Sequence, residues 1–376
     1  MKFVNEFRDA GMARRLAATL KEEVDPARHY AFMEFCGGHT HTIARYGIED
    51  VLPPQVRMIH GPGCPVCVLP TGRIDSAIAL ARRREVILCT YADLMRVPGS
   101  HRSSLMQAKA EGCDIRMVYA TSDVFTIARA EPSREVVFLA IGFETTTPAT
   151  AVALHAARAA GLRNFSVLCN HVMTPPAMQA IIAAKGPGGP VRIDGFVGPA
   201  HVSTVIGTRP YERFAGEGGR PVVVAGFEPL DVLLAVLMLV RQLNEGRCEV
   251  ENQYTRAVTR DGNRRAQQFM AATFSTRPAF EWRGLGVLPR SALALSEGWA
   301  EHDAERRFGI EYQPAPDHPA CECPAVLRGA KQPRDCKLFG VACTPETPVG
   351  ACMVSSEGAC AAAWTYGRCR SRERAQ

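Results

Sequence analysis

The sequence predicts an α/β protein with two parallel-sheet lobes and a cysteine-rich C-terminal region that is mainly helical or irregular. Three observations carry this. Short β-branched runs alternate with helical stretches from about residue 55 to residue 226, and the chain changes character after Glu251. Seven of the 14 cysteines fall within the last 56 residues. Strand–helix–strand repetition gives right-handed parallel crossovers, and these build layered α/β folds.

The elements follow in order. VILCTY (86–91), IRMVYA (115–120), VVFLAIG (136–142), FSVLCN (165–170), IDGFVG (193–198) and PVVVAGF (221–227) are apolar runs of the kind found in buried parallel strands. Between them RIDSAIALARRR (73–84), PATAVALHAARAAG (148–161) and TPPAMQAIIAAKG (174–186) space their apolar residues as helices do. Pro148 and Pro175 stand near helix starts, and Gly161 and Gly186 just past the ends. A break in rhythm near Thr121–Arg134 divides the strands into two lobes. PLDVLLAVLMLVRQLNEG (229–246) is a long helix, amphipathic only toward its end, so its first half is expected to be buried. A polar helix is expected within NQYTRAVTRDGNRRAQQFMAATF (252–274), followed by proline- and cysteine-rich sequence. Residues 317–350 hold too little apolar material for a core of their own, so a metal centre is the expected substitute. The final SRERAQ reads as a solvated basic tail.

A chain of 376 residues suits two or three domains, and 47% apolar with 22% charged residues is a globular composition. The net charge of +6, from 44 basic and 38 acidic residues, is slight and scattered, which argues against nucleic acid as the main partner. The longest uncharged apolar candidate, from Leu230 to Val240, is too short to span a membrane. The N-terminal MKFVNEFRDAGMARR carries acids and arginines where a signal peptide has its apolar core. A soluble, cytoplasmic protein is expected. There such a cysteine cluster points to metal or redox chemistry rather than to structural disulfides. Cys89, Cys113 and Cys169, in strand-like runs, read as buried core residues.

Three cysteine constellations follow. In Phe35-Cys36-Gly37-Gly38-His39-Thr40-His41 the glycines allow close backbone approach. A helix opening at this point would raise the thiolate fraction of Cys36 above the few per cent of a free thiol; a tight turn with capping histidines fits equally well. Gly61-Pro62-Gly63-Cys64-Pro65-Val66-Cys67 presents two cysteines whose sulfurs can meet, on an expected exposed turn ahead of a helix from about Arg73. This favours a redox dithiol or an open metal site. In the C-terminal cluster 12 residues separate Cys323 from Cys336, six separate Cys336 from Cys343, and 16 separate Cys343 from Cys360. Those gaps match neither a zinc ribbon nor the compact ferredoxin run, and four thiolates suit zinc or a [4Fe–4S] cluster alike. Cys321, Cys352 and Cys369 are then spare. Two weaker signals, Gly142-Phe143-Glu144-Thr145-Thr146-Thr147-Pro148 and Gly198-Pro199-Ala200-His201-Val202-Ser203, stand at strand-to-helix turns where ligands gather. Glu144 there offers an acid/base or hydrogen-bonding group, or else belongs to an ordinary threonine-rich cap.

Together CGGHTHT (36–42), HGPGCPVCV (60–68), IGFETTTP (141–148) and the C-x12-C-x6-CTPETPVGACMVSSEGACAA tail (323–362) resemble the HypD family of hydrogenase maturation factors, in order along nearly the whole chain. The resemblance implies an assembly factor for [NiFe] hydrogenases. Such a factor holds iron while its cyanide and carbonyl ligands are acquired, with a HypC-type small chaperone and a HypE-type cyanide donor, and serves the hydrogenase large subunit indirectly. It implies Cys36 as the iron-holding thiolate and Cys64 and Cys67 as a redox dithiol. It implies Cys323, Cys336, Cys343 and Cys360 as ligands of a [4Fe–4S] cluster. His39 and His41 stand beside Cys36 as groups that hydrogen-bond a cyanide nitrogen or the thiolate, or that stabilise the turn. Pro324 stands where the family pattern has glycine, which makes Cys321 a possible substitute for Cys323. The expected organisation is an N-terminal helix (1–25) packed on the C-terminal domain, a first lobe (26–120) with Cys36, Cys64 and Cys67, a second lobe (121–246), and an iron–sulfur domain (247–376).

Two other functions fit the cysteines: an iron–sulfur-dependent thiol/disulfide reductase acting on a protein partner through Cys64 and Cys67, and a zinc-stabilised binding protein. A plain reductase has no need of CGGHTH. Acid-labile sulfide in protein purified without oxygen would eliminate the zinc reading.

Overall fold

The structure, a computed structural model, describes residues 5–183 and 191–373, the last six of these by backbone only. The helix end expected at Gly186, the side chain of Cys369 and the last three residues of the tail lie outside the described residues.

Asp9 caps the first helix, α1 (Ala10–Glu23), accepting from the Met12 amide at 2.6 Å. Then come β1 (Tyr30–Glu34), α2 (Gly37–Tyr46), α3 (Ile48–Val51), β2 (Val56–His60), α4 (Pro65–Val68) and α5 (Thr71–Ala81). A contiguous run follows: β3 (Val86–Thr90), α6 (Leu105–Ala110), β4 (Ile115–Met117), α7 (Thr121–Ala130), β5 (Glu135–Gly142), α8 (Thr147–Ala159), β6 (Phe165–His171) and α9 (Thr174–Ala183). The chain continues through β7 (Gly195–Pro199), α10 (Ala200–Ile206), α11 (Arg209–Gly218), β8 (Val222–Ala225), α12 (Pro229–Asn244) and β9 (Val250–Asn252).

Two parallel sheets result, of order β2-β1-β7-β8-β9 and β4-β3-β5-β6. Side chains alternate between their faces. Met33, Phe196, Val222 and Val224 of the first sheet join Leu88, Val137 and Leu139 of the second in one shared core. Phe32, Val197 and Val223 face a second core under α12, and Ile87, Val136 and Phe138 face a third under α7 and α8.

Three expectations need correction. The first lobe is not 26–120, because its sheet takes two strands from residues 30–60 and three from 195–252, and the second sheet is inserted between them. Thr121–Arg134 is no lobe break, since α7 crosses there between β4 and β5 of one sheet; only Val124 and Ala128 of α7 are buried, which hid its period. The N-terminal helix packs on α12 rather than on the C-terminal region. Leu20 and Val24 enter the core of Leu233 and Val236, and Glu23 pairs with Arg241 at 2.6 Å.

The remaining chain forms α13 (Arg264–Thr273), β10 (Phe274–Thr276), β11 (Ala279–Trp282), β12 (Gly286–Pro289), β13 (Leu293–Leu295), α14 (Ala304–Phe308), α15 (Cys323–Leu327) and α16 (Ala359–Glu373). The strands make two small antiparallel ladders, β10–β13 and β11–β12, in a region expected to lack them. The cysteine-rich stretch beyond them is irregular with short helices, as expected. Pro324 sits in the first turn of α15, where its missing N–H leaves no bond unmade. Among the described residues no helix is long and apolar enough to cross a membrane.

Both sheets change direction next to an interior strand, β1 beside β7 in the first and β3 beside β5 in the second. The carboxyl ends of such strands form the crevices where ligands bind in open α/β sheets. Cys36 follows β1, and Glu144 follows β5.

Candidate functional site

Cys36 caps α2 from an extended backbone. Its carbonyl accepts from the amides of His39 at 2.9 Å and Thr40 at 3.1 Å. A Cβ on Gly37 would overlap Glu357, and one on Gly38 would overlap the ring of Phe227, so both glycines are required by close approach. The Gly37 amide donates to the Gly63 carbonyl at 3.1 Å, and a Cβ on Gly63 would fall on the backbone of Cys36. The first two cysteine motifs are therefore one folded unit.

The Cys36 thiol is buried, and burial pushes its pKa well above the ordinary range. The charges of Glu357 and Glu34 push the same way, while the amides of Gly38 and His39 pull back. The expected gain in thiolate at a helix N-terminus is outweighed here by desolvation. In the free protein Cys36 is a protonated thiol.

Glu34, absent from the sequence reading, is wholly buried at the end of β1. One carboxylate oxygen accepts from the Cys36 amide at 2.9 Å; the other accepts from the Thr40 hydroxyl and lies 3.0 Å from His60 Nδ1. The available signal was a lone acid closing the apolar run YAFME.

The Nε2–H of His39 faces the carbonyls of Ala225 and Gly226, both at 3.0 Å. Its Nδ1 is buried without a partner, and burial lowers its pKa and keeps the ring neutral. His41 instead meets the Tyr366 hydroxyl at 2.7 Å and stacks on that ring, tying α2 to α16.

Glu144 is buried and accepts from the Thr174 amide at 2.9 Å and hydroxyl at 3.0 Å. Burial raises its pKa to about 7. Tyr211, buried with its hydroxyl 3.4 Å from that of Ser203, feels the fields of both Glu144 and Cys36. A cleft of about 370 Å³ opens at the ends of β3 and β5, lined by Tyr91, Asp93, Gly142, Thr146 and Glu357. Glu357 thus belongs both to this cleft and to the Cys36 turn.

Cys64 and Cys67 are joined as a disulfide with Cα atoms 5.2 Å apart. Cys64 caps α4, and its sulfur accepts from the Cys67 amide at 3.2 Å. The turn expected to be exposed is buried: Cys64 is 3% and Cys67 1% accessible. Helix α4 packs against the short 3-10 turn Ala351–Met353, which places the disulfide beside the C-terminal cysteines.

Cys321, Cys323, Cys336, Cys343 and Cys360 line one small cavity walled by Leu338, Phe339 and Met353. The Val349 amide donates to Cys343 Sγ at 3.3 Å. Cys323 contacts Cys321, Cys352 and Cys360. Among the described residues no group of three or more His, Cys, Asp or Glu side chains stands in metal-holding geometry. The donor set nevertheless fits an iron–sulfur cluster in kind, with several soft sulfurs, apolar walls and an amide directed at one sulfur. Cys89 and Cys169 are core residues as expected, and burial pushes their thiols up to about 12 and about 11.

The family model HypD, described as the hydrogenase formation hypA family, matches residues 11–367. The chain belongs to the HypD family. It is 64% identical to the hydrogenase maturation factor HypD of Rhizobium leguminosarum bv. viciae, over 100% of this chain and 98% of that protein. The Cupriavidus necator HypD is 61% identical over 98% of each chain. The Escherichia coli HypD is 46% identical over 97% of this chain and 98% of its own. At this level the function is hydrogenase maturation.

Proposed function

We propose that this HypD-family chain is a scaffold on which an Fe(CN)2CO unit is assembled on Cys36. A HypC-type chaperone shares the iron, and a HypE-type donor delivers cyanide. The observation that carries the proposal is the fusion of the Cys36 turn with the Cys64/Cys67 loop, beside the C-terminal cysteines. Ferrous iron, the substrate here, bears cyanide and carbonyl best with soft donors, and a thiolate is one. A thiol this strongly protonated binds iron by releasing its proton, and the metal charge then offsets the desolvation that kept the proton on. The neutral ring of His39, with its unpartnered Nδ1, adds an acceptor in the same turn.

Cys336, Cys343 and Cys360, with Cys323 or Cys321 as the fourth ligand, would hold a [4Fe–4S] cluster. Such a cluster supplies and stores single electrons. Oxidation of the Cys64 and Cys67 thiols to the disulfide releases two electrons and two protons, and reduction takes them back. The burial of both cysteines counts against a reductase acting directly on another protein's disulfide.

Infrared spectroscopy tests this on protein purified without oxygen with its small chaperone, beside a Cys36→Ala control. Cyanide and carbonyl bands that vanish in the control are expected. Their absence from a folded, iron–sulfur-replete complex made with the full maturation machinery would overturn the scaffold, and the reductase would then lead.

A further inference from the structure

We propose that Glu34 is the positioning residue for Cys36. Its carboxylate clamps the Cys36 turn to the loop that carries Cys64 and Cys67. A carboxylate at the end of a wholly buried strand is costly unless its oxygens are satisfied. Here three donors from three places converge on it: the Cys36 amide, the Thr40 hydroxyl one turn into α2, and the His60 ring at the end of the neighbouring strand β2. Glu34 and His60 are direct partners in the β1–β2 register, so the sheet itself brings the ring to the carboxylate.

The chemistry of the side chain explains why an acid is used. Three donors need an acceptor-only group with two oxygens. Glutamine offers one oxygen, and its NH2 would face a donor. The field of Glu34 also opposes thiolate formation at Cys36, so activation of the sulfur by its charge is not what the residue supplies. What it supplies is placement: the Cys36 amide is held, α2 starts one residue later, and the Gly37 amide reaches Gly63. His60 extends the clamp outward, because it also lines a cavity of about 440 Å³ with Glu49, Asp50 and Arg334 while Glu34 is sealed from it.

The significance of this placement rests on Cys36 being the working thiolate, but its test has a readout that does not. Site-resolved alkylation in the cluster-loaded protein compares Cys36 with half-buried Cys248, which donates to the Ala215 carbonyl. Glu34→Gln is expected to raise the Cys36 rate about tenfold, as loss of at least one well-made hydrogen bond implies, with Cys248 unchanged. Glu34→Asp is expected to recover part of the protection, and to recover infrared band intensity that Glu34→Gln loses. Thr40→Val and His60→Phe each leave two donors in place and are expected to give intermediate rates, which keeps the test open should Glu34→Gln not fold. Equal Cys36 labelling in wild type and in whichever of these variants fold overturns the proposal, as does a Glu34→Asp variant no better than Glu34→Gln. Infrared bands absent even from wild type, with labelling still dependent on Glu34, would sink the scaffold reading and leave the clamp standing.

Discussion

The Gly37 amide donates to the Gly63 carbonyl at 3.1 Å, and this bond joins two motifs that lie more than twenty residues apart in sequence. The contact tolerates no side chain, since a Cβ on Gly63 would overlap the Cys36 nitrogen and α-carbon. Backbone cannot swing aside as a flexible side chain does. Gly63→Ala is therefore expected to destabilise the protein by about 2 kcal/mol through overpacking and to displace Cys36. Thermal unfolding measures the first effect and loss of infrared bands the second. A variant with wild-type melting and full bands would show that the approach is not required.

Glu144 gives stability a pH signature. Its folded pKa is about 7, above the ordinary 4.5, so the folded state binds the proton more tightly than the unfolded state. That contribution is complete below pH 4.5 and is lost as pH rises through 7, a total of roughly 3 kcal/mol. His171 runs the opposite way: burial pushes its pKa down to about 4, so its contribution is lost as pH falls below 6.5. Comparison with Glu144→Gln cancels the histidine. The variant is expected to gain on wild type between pH 4.5 and pH 8, and parallel melting curves would refute the assignment.

His39 fills a structural and a chemical position at once, and one variant separates them. His39→Ala leaves the carbonyls of Ala225 and Gly226 without their shared donor, at a cost of about 1–3 kcal/mol. Weaker cyanide and carbonyl bands are expected, with the iron–sulfur absorbance unchanged. Loss of that absorbance together with the bands would show that the ring only supports the fold.

The legible and illegible parts differ in their physical origin. Strands β3 and β5 to β8 announce themselves because burial on both faces demands continuous apolar sequence. β1 and β2 did not, since YAFME has no β-branched residue, VRMIH is broken by exposed Arg57, and the two close on Glu34 and His60. Local pattern also cannot say that β1 pairs with β7 across an entire inserted sheet, so the lobe boundaries went astray. The cysteine motifs were visible as spacings, and their fusion was not. Gly37 and Gly63 look like flexible turn residues in sequence, and only the fold shows that each is needed for an approach to another segment. Glu34 was invisible for the same reason, because its partners come from β2 and α2.

The buried disulfide makes a further expectation. Cys64 and Cys67 are closed off from solvent, and their helix packs on the turn that holds buried Cys352. If the proposed iron–sulfur centre is present, their redox state is expected to follow its reduction and to respond slowly to added glutathione. Thiol trapping before and after anaerobic reduction measures this. A pair found permanently reduced under every condition would remove the dithiol from the mechanism.

Cys321 and Cys323 compete for one place, and their surroundings differ. Both sulfurs line the cavity shared with Cys336, Cys343 and Cys360, and a Cβ on Gly350 would overlap either. Cys323 is nearly inaccessible and is also engaged by Cys352 and Cys360, whereas Cys321 is only half-buried and feels the opposed charges of Asp317 and Arg283. Their contact couples the two thiols, the shared hydrogen bond lowering the pKa of Cys321 and raising that of Cys323. The sulfur with fewer competing partners and more room is the freer to turn to iron. Cys321→Ser is therefore expected to lose most of its iron and acid-labile sulfide, and Cys323→Ser to keep them. The reverse pattern would restore Cys323, the ligand that the family spacing suggests. It would leave Cys321 as a neighbour that only tunes the centre.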